Sequence, residues 1–249
     1  MDFDEQLRVL KAAQGDAAKL SLSTVDLAYP TMSAAERTEL KQVLEVAAIP
    51  HWCDEAILAA LLEIPAVESA ARFARLRSLR VVEPFPARGR DAVNVHEASR
   101  LALRKRVAVE EPARFRALSA RVAAHFSDDL TPAGRIEWIY HLMAASPERA
   151  ATECEALNRT WIDLARPEDH QALALALGDL EASGLVDGAA RVEVLLCMVD
   201  AQSTRGETAT LESKSRGILQ LAKTLGISSA EAHANCVLGD SLVAQGRLL

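Results

Sequence analysis

The sequence predicts a mainly α-helical fold, in which a winged helix-turn-helix module is followed by antiparallel helical hairpins. Alanine and leucine dominate a chain of 249 residues of which only 4% are aromatic, and this composition is typical of closely packed helices. The convincing strand signals lie between Leu76 and Arg106, where the runs 81–85 and 92–95 flank a glycine-containing turn. Because helical patterns lie on both sides of this hairpin, we expect it to be the wing.

The chain divides into three predicted segments. Residues 1–30 form two short helices separated by Gly15, and these are too short to be stable alone in water. We interpret them as the tail of a small helical domain. Residues 31–108 form the winged-helix domain, and residues 109–249 form the helical repeats.

The winged-helix domain is predicted from local signals along the chain. Ser33 and Glu36 form a capping box that starts a helix over about 34–48. Asp54 caps a second helix that ends before Pro65, and a third helix covers 67–79. Three helices followed by a hairpin is the winged-helix order, and DNA-binding members read DNA with the third helix.

A basic block surrounds the third helix and the hairpin. Ten basic and only three acidic residues lie between Arg72 and Arg106, although the whole chain has a net charge of −7. Such a block could contact phosphates, but we favour a solvated face or one that pairs with acidic neighbours in the same chain. The candidate DNA contacts are Arg72, Arg75, Arg77, Arg80, Arg88 and Arg90.

The second half of the sequence predicts a series of amphipathic helices. Three apolar stripes begin at Phe115, Ile136 and Cys154, and further helices are expected over about 168–183, 189–204, 208–225 and 229–245. The last pairs resemble tetratricopeptide repeats, because Gly239 and Gly246 occupy the small and turn positions of such a repeat. The spacing from Gly206 to Gly246 is 40 residues, so these TPR-like hairpins do not form a regular array.

Stacked hairpins of this kind leave a concave surface that binds peptides or helices of a protein partner. We expect helices 189–204 and 229–245 to line it. Their polar flanks carry Arg191, Glu193, Asp200, Gln202, Asn235, Asp240 and Ser241.

The end of the sequence predicts an unpaired apolar face. It carries Val237, Leu242, Val243 and Leu248, and a repeat without a capping helix exposes such residues. We therefore expect the repeats to be truncated and the chain to self-associate.

Several classes of protein are disfavoured. There is no apolar run of roughly 20 residues and the N-terminus is acidic, so we expect a cytoplasmic protein without membrane contact. The four cysteines form no C-x-x-C pair, and His51 with Cys53 lacks further ligands, so no metal site is expected. No hydrolase or metalloprotease motif occurs, and we expect no enzyme.

The run VNVHEASRLAL, from Val93 to Leu103, is similar to the end of the winged-helix domain in STAND-class signalling ATPases, the group that contains apoptosome and plant immune receptor proteins. Val95-His96-Glu97 corresponds to the Met-His-Asp signature of that family. Residues 15–62 look like the family's small helical domain running into its winged helix, and residues 113–150 look like the first helices of its repeat arrays.

The resemblance implies that His96 contacts the β-phosphate of bound ADP in the resting state of a nucleotide switch. A Walker A loop requires a Gly-Lys dipeptide, and this sequence contains none. No cofactor is therefore expected on this chain itself, and ADP or ATP is expected only in a larger parent protein.

Three hypotheses of function follow. The chain is a non-catalytic regulatory segment of a STAND-type ATPase, whose repeats bind a protein partner and whose winged helix couples to the nucleotide switch. Alternatively, it is a winged-helix transcriptional regulator with a helical-repeat sensor domain, or a stand-alone helical-repeat adaptor.

Overall fold

The computed structural model describes residues 3–207 and 210–247, and this part of the chain is mainly α-helical, as predicted. It contains thirteen α-helices and one two-stranded antiparallel sheet. Two compact units divide the chain at residues 125 and 126, and each unit is described here by itself.

The first unit contains seven of these helices. Helix α3 begins at the predicted capping box: the Ser33 hydroxyl accepts from the Glu36 backbone N–H, while the Glu36 carboxylate accepts from the Ser33 N–H at 3.0 Å. Asp54 caps α4 in the predicted way, with its carboxylate 2.8 Å from the Ile57 amide. The helices are α1 (Phe3–Ala12), α2 (Ala17–Ala28), α3 (Ala34–Ala47), α4 (Glu55–Leu62), α5 (Ala66–Arg77), α6 (Glu97–Glu110) and α7 (Pro112–His125).

The predicted hairpin is present between α5 and α6. Strand β1 (Val82–Pro84) pairs antiparallel with β2 (Val93–Val95), with Val82 opposite Val95. A further piece of extended chain, which no sequence pattern predicted, lies beside the hairpin: Cys53 exchanges both backbone hydrogen bonds with Val93, at 2.7 and 2.9 Å. This bridge joins the segment between α3 and α4 to the hairpin.

The core of the first unit lies between the helices and the inner side of the hairpin. Leu44, Ile57, Phe73 and Leu103 are fully or almost fully buried. Helix α7, which the sequence analysis assigned to the repeats, packs against α4 and α6 within this unit.

The second unit is built from six helices. Pro147 and Pro167 occupy the first helical positions of α9 and α10. Proline is favoured there because a backbone N–H at this position would have no acceptor within the helix. Gly226 takes the left-handed conformation that ends α12. The helices are α8 (Pro132–Ala145), α9 (Pro147–Asp163), α10 (Pro167–Ala182), α11 (Gly188–Thr204), α12 (Leu211–Leu225) and α13 (Ser228–Ala244).

Helix α11 is central to the second unit. It packs against α9, α10, α12 and α13, while α8 packs against α9 and α10. Its residues Val192, Leu196 and Val199 are buried together with Ile218 of α12 and Val237 of α13. Helix α11 therefore contacts four of the five other helices of this unit.

The prediction of an exposed apolar face at the end of the sequence is wrong for two of its four residues. Val237 and Leu242 are buried, because α13 packs closely against α12 and against α11. Val243 is 61% exposed, as expected, and Leu248 lies outside the described residues. The structure thus removes most of the reason to expect self-association through this end.

Candidate interaction surfaces

A cleft runs along one side of α11. Helices α10 and α12 both pack against α11 and make little contact with each other in the described part of the chain, so the side of α11 between them stays open. Two pockets meet there at Met198. This surface, called the α11 cleft below, is lined by Gln171, Ala174, Leu175, Gly178, Asp179, Arg191, Leu195, Met198, Val199, Ala201, Gln202, Arg205, Lys214, Gly217, Ile218 and Leu221.

The α11 cleft has an apolar floor and a charged rim. Leu175 on the α10 wall is 75% exposed, although leucine side chains favour burial. At the rim, the Arg191 guanidinium forms a two-pronged ion pair with Glu181 of α10, at 2.7 and 3.0 Å. Lys214 donates to the Gln202 side-chain oxygen at 3.0 Å and forms an ion pair with no described residue.

The opposite side of α11 carries a buried polar network. The Asp200 carboxylate accepts a hydrogen bond from the side-chain amide of Asn158 on α9 at 2.7 Å. Its other oxygen lies 2.9 Å from Nε2 of His233 on α13. Glu193 lies two helical turns before Asp200 on the same side of α11 and belongs to the same cluster. These four residues are called the Asp200 network.

The pKa values of the network reflect burial and mutual charge. Burial, followed by repulsion from Glu155, raises the pKa of Glu193 to about 7. The hydrogen bond to Asp200 raises the pKa of His233. Burial lowers the pKa of His170 on α10, although the negative charge of Asp200 opposes this shift by favouring the protonated imidazole.

Two cysteines are buried beside this network. Cys154 of α9 and Cys197 of α11 are fully buried free thiols. Their mutual hydrogen bond and their burial raise the pKa of Cys197 well above its ordinary value. Such thiols pack as small apolar groups.

The predicted partner-binding residues do not form one surface. Arg191 and Gln202 line the α11 cleft, and Asn235 and Asp240 are exposed on α13. Glu193, Asp200 and Ser241 are buried at 8%, 7% and 1% exposure, so the expectation that they offer an open lining surface is wrong. Glu193 and Asp200 are seven positions apart and therefore share a side of α11. This side faces α9 and α13.

The predicted basic block is partly used within the chain. Arg72 pairs with Glu39 at 2.8 Å, and Arg77 lies 3.4 Å from Asp91. Arg100 and Arg104, also in the block, are buried. The side chains of Arg75, Arg80, Arg88 and Arg90 are exposed and form no ion pair with a described residue.

His96 lies between β2 and α6, at the predicted strand-to-helix junction. Its side chain is exposed and caps no backbone amide of α6, while its own backbone N–H donates to Val81 at 2.8 Å. The imidazole is therefore accessible to a ligand that approaches the start of α6.

The described residues contain no group of three or more His, Cys, Asp or Glu side chains arranged to hold a metal ion. At the His51 and Cys53 pair, burial raises the pKa of the Cys53 thiol, which disfavours the thiolate that a metal requires. None of the described helices has the length and hydrophobicity that a membrane crossing needs.

Comparison with known proteins gives no relative. No protein-family model matches the chain, and neither the curated proteins nor the solved structures contain a significant match.

The raised pKa of Glu193 predicts a specific pH dependence of stability. The folded state keeps the Glu193 proton up to about pH 7, whereas an unfolded glutamate loses it near its ordinary pKa of 4.5. The free energy of unfolding should therefore fall as the pH rises from 4.5 to 7, by on the order of 3 kcal/mol. Glu193→Gln should abolish this part of the decline in urea unfolding curves measured at pH 5 and 8.

The exposed Glu168 provides the control for this experiment. Glu168→Gln makes the same change of charge on α10 and should leave the pH profile of the parent chain unaltered. Parallel profiles for Glu193→Gln and the unsubstituted chain would contradict the assignment of the decline to Glu193.

Proposed function

We propose that this chain is a non-catalytic regulatory and protein-interaction segment of a STAND-type signalling ATPase. Its helical repeats bind a protein partner, and its winged helix couples this binding to the nucleotide switch of the parent protein. The proposal rests on the resemblance of residues 93–103 to that family and on the order and packing of the helices within each unit.

The first unit supports the winged-helix part of the proposal. The order α3, α4, α5, β1, β2 is that of a winged helix. The isolated bridge between Cys53 and Val93 joins the segment between α3 and α4 to β2. His96 is exposed at the position that corresponds to the ADP-contacting histidine of the family.

The second unit supports the repeat part. Consecutive helices pack in pairs, with α8 against α9, α10 against α11 and α12 against α13. Helices α9, α11 and α13 also pack side by side, as the equivalent helices of TPR-like hairpins do. We therefore propose a TPR-like interaction module in this unit.

The α11 cleft is the observation that carries the binding function. Its floor of Leu195 and Met198 on α11 lies between the α10 wall and the α12 wall, which carries Leu221. This is the form of groove that accepts an amphipathic helix. Lys214 at its rim has no acidic partner among the described residues. The occupant that fits is a helix with an apolar face and an acidic flank, contributed by a partner protein.

The exposed arginines favour a second candidate function, that of a DNA-binding regulator. Arg75 lies on α5, the helix that reads DNA in winged-helix proteins, and Arg88 and Arg90 lie in the wing turn. The paired state of Arg72 and Arg77 favours an intramolecular role for part of this block.

Helical peptides selected from a display library against the chain should bind the α11 cleft. Leu175→Glu and Lys214→Glu should each weaken the selected peptides at least about tenfold in calorimetry, because they place a negative charge where the peptide has apolar or acidic side chains. Peptides that bind equally well to these variants would contradict the proposed surface.

Two control variants match these substitutions. Lys223→Glu reverses an exposed charge at the opposite side of α12, and Leu164→Glu replaces an exposed leucine after α9. Both should leave peptide affinity unchanged, which would exclude a general effect of charge.

The DNA-binding alternative predicts a different measurement. Under the favoured proposal, duplex DNA should bind weakly at physiological salt and without sequence preference, as fluorescence anisotropy would report. Arg75→Glu together with Arg88→Glu should reduce even this binding while the chain stays folded. Nanomolar, sequence-selective binding lost in that variant would instead establish the regulator.

The proposed parent protein can be tested on the gene. We expect the reading frame to encode a nucleotide-binding domain with a G-x-x-x-x-G-K-[ST] loop upstream of this segment, because His96 alone cannot hold a nucleotide. Sequencing of the genomic locus and of its transcript would show it. A stop codon immediately upstream in the same frame would exclude the ATPase parent and favour an adaptor.

A further inference from the structure

Each wall of the α11 cleft contains a glycine in the interior of its helix, Gly178 on α10 and Gly217 on α12. Glycine inside a helix is less favourable than alanine, because its backbone loses more freedom on folding. Apart from the adjacent backbone of its own helix, a methyl group at Gly217 would meet no described atom within 4 Å. One at Gly178 would meet only Met198 Cε, at the ordinary contact distance of 3.7 Å. Both glycines therefore leave space that the chain itself does not use.

These spaces belong to two sockets that share Met198. The Gly178 socket is the pocket between α10 and α11, and the Gly217 socket is the pocket between α11 and α12. Their volumes are about 260 and 330 Å³, whereas a cavity of about 150 Å³ already accepts benzene. Each socket thus has room for one leucine or aromatic side chain. Met198 between them is unbranched, and methionine adapts its shape to the groups that it packs against.

The two sockets are seven residues apart along α11. The residues of α11 and its C-cap that line the Gly217 socket are followed, seven positions later, by residues that line the Gly178 socket. They are Arg191, Leu195 and Met198 in the first and Met198, Gln202 and Arg205 in the second. Seven residues make two turns and about 10.5 Å of helix. A second helix along α11 rises by the same amount per residue, so its residues seven or eight apart, which share a side, reach both sockets.

We propose that the two sockets receive two large apolar side chains of one partner helix, seven or eight residues apart, and that Gly178 and Gly217 keep the sockets open for them. This inference rests on the proposed function and specifies the apolar face of the helix that the α11 cleft accepts. Lys214 also lines the Gly217 socket and has no acidic partner among the described residues. The acidic flank of the partner helix therefore lies beside its anchor for that socket.

A peptide selection tests the spacing of the anchors. The library consists of alanine-based helical peptides randomised among Ala, Leu, Phe, Glu and Lys, and the target is the full chain. Selection should enrich pairs of Leu or Phe seven or eight residues apart, with Glu beside one of them. Single anchors or other spacings, in peptides that Leu175→Glu weakens, would overturn the two-socket inference while the cleft remains the binding surface. If no enriched peptide depends on Leu175, the proposed function fails together with the inference.

Substitutions at the two glycines test the sockets separately. Gly178→Leu and Gly217→Leu each fill one socket and should weaken a selected peptide at least about tenfold in calorimetry. Shortening the matching anchor of the peptide to alanine should have a smaller effect on affinity in such a variant than in the unsubstituted chain. Gly239→Leu on α13 is the matched control and should leave affinity unchanged, because Gly239 also has open space inside a helix but lines neither socket.

Alanine at the same positions separates a role in binding from a role in the fold. Gly178→Ala and Gly217→Ala should raise the urea midpoint of the chain, since alanine favours the helix. A lower midpoint would show that packing within the chain requires glycine, and would overturn the assignment. Unchanged peptide affinity in both folded leucine variants would overturn it as well. If a leucine variant does not fold, the anchor spacing enriched against the unsubstituted chain decides.

Discussion

The buried carboxylate of Asp200 is the constraint around which the second unit is arranged. A carboxylate removed from water costs several kcal/mol unless donors reach it, and at 7% exposure Asp200 retains little solvent contact. Its donors come from α9 and α13. Both helices must therefore stay within hydrogen-bonding distance of the same point on α11, which fixes three helices relative to one another.

This arrangement gives α11 two distinct sides. Glu193 and Asp200 are seven residues apart and share one side of the helix, while Leu195 is rotated by about 200° from Glu193. The Asp200 network therefore lies on one side and the α11 cleft on the other. The apolar residues Val192, Leu196 and Val199 are spaced four and three residues apart and form one buried stripe along a flank between these two sides; Val199 also lines the α11 cleft.

The sequence predicted where helices begin and end more accurately than it predicted which side of each helix is buried. The start of α10 at Pro167 and the end of α12 before Gly226 follow from local backbone preferences, and the capping box of Ser33 does so too. The contact of Asn158, Asp200 and His233 joins positions 42 and 33 residues apart. No local period encodes such a meeting, and neither Asn158 nor His233 was marked by a motif. Asp200 was mistaken for an exposed flank because aspartate is usually exposed.

The two sides of α11 differ in how their charges are satisfied. In the Asp200 network, the Asp200 carboxylate accepts a hydrogen bond from Asn158 and lies against His233, so the same unit supplies its partners. At the rim of the α11 cleft, Lys214 donates only to the Gln202 side-chain oxygen and forms an ion pair with no described residue. An acidic group of a ligand can therefore complement the cleft, whereas the opposite side of α11 serves to hold α9 and α13 in place.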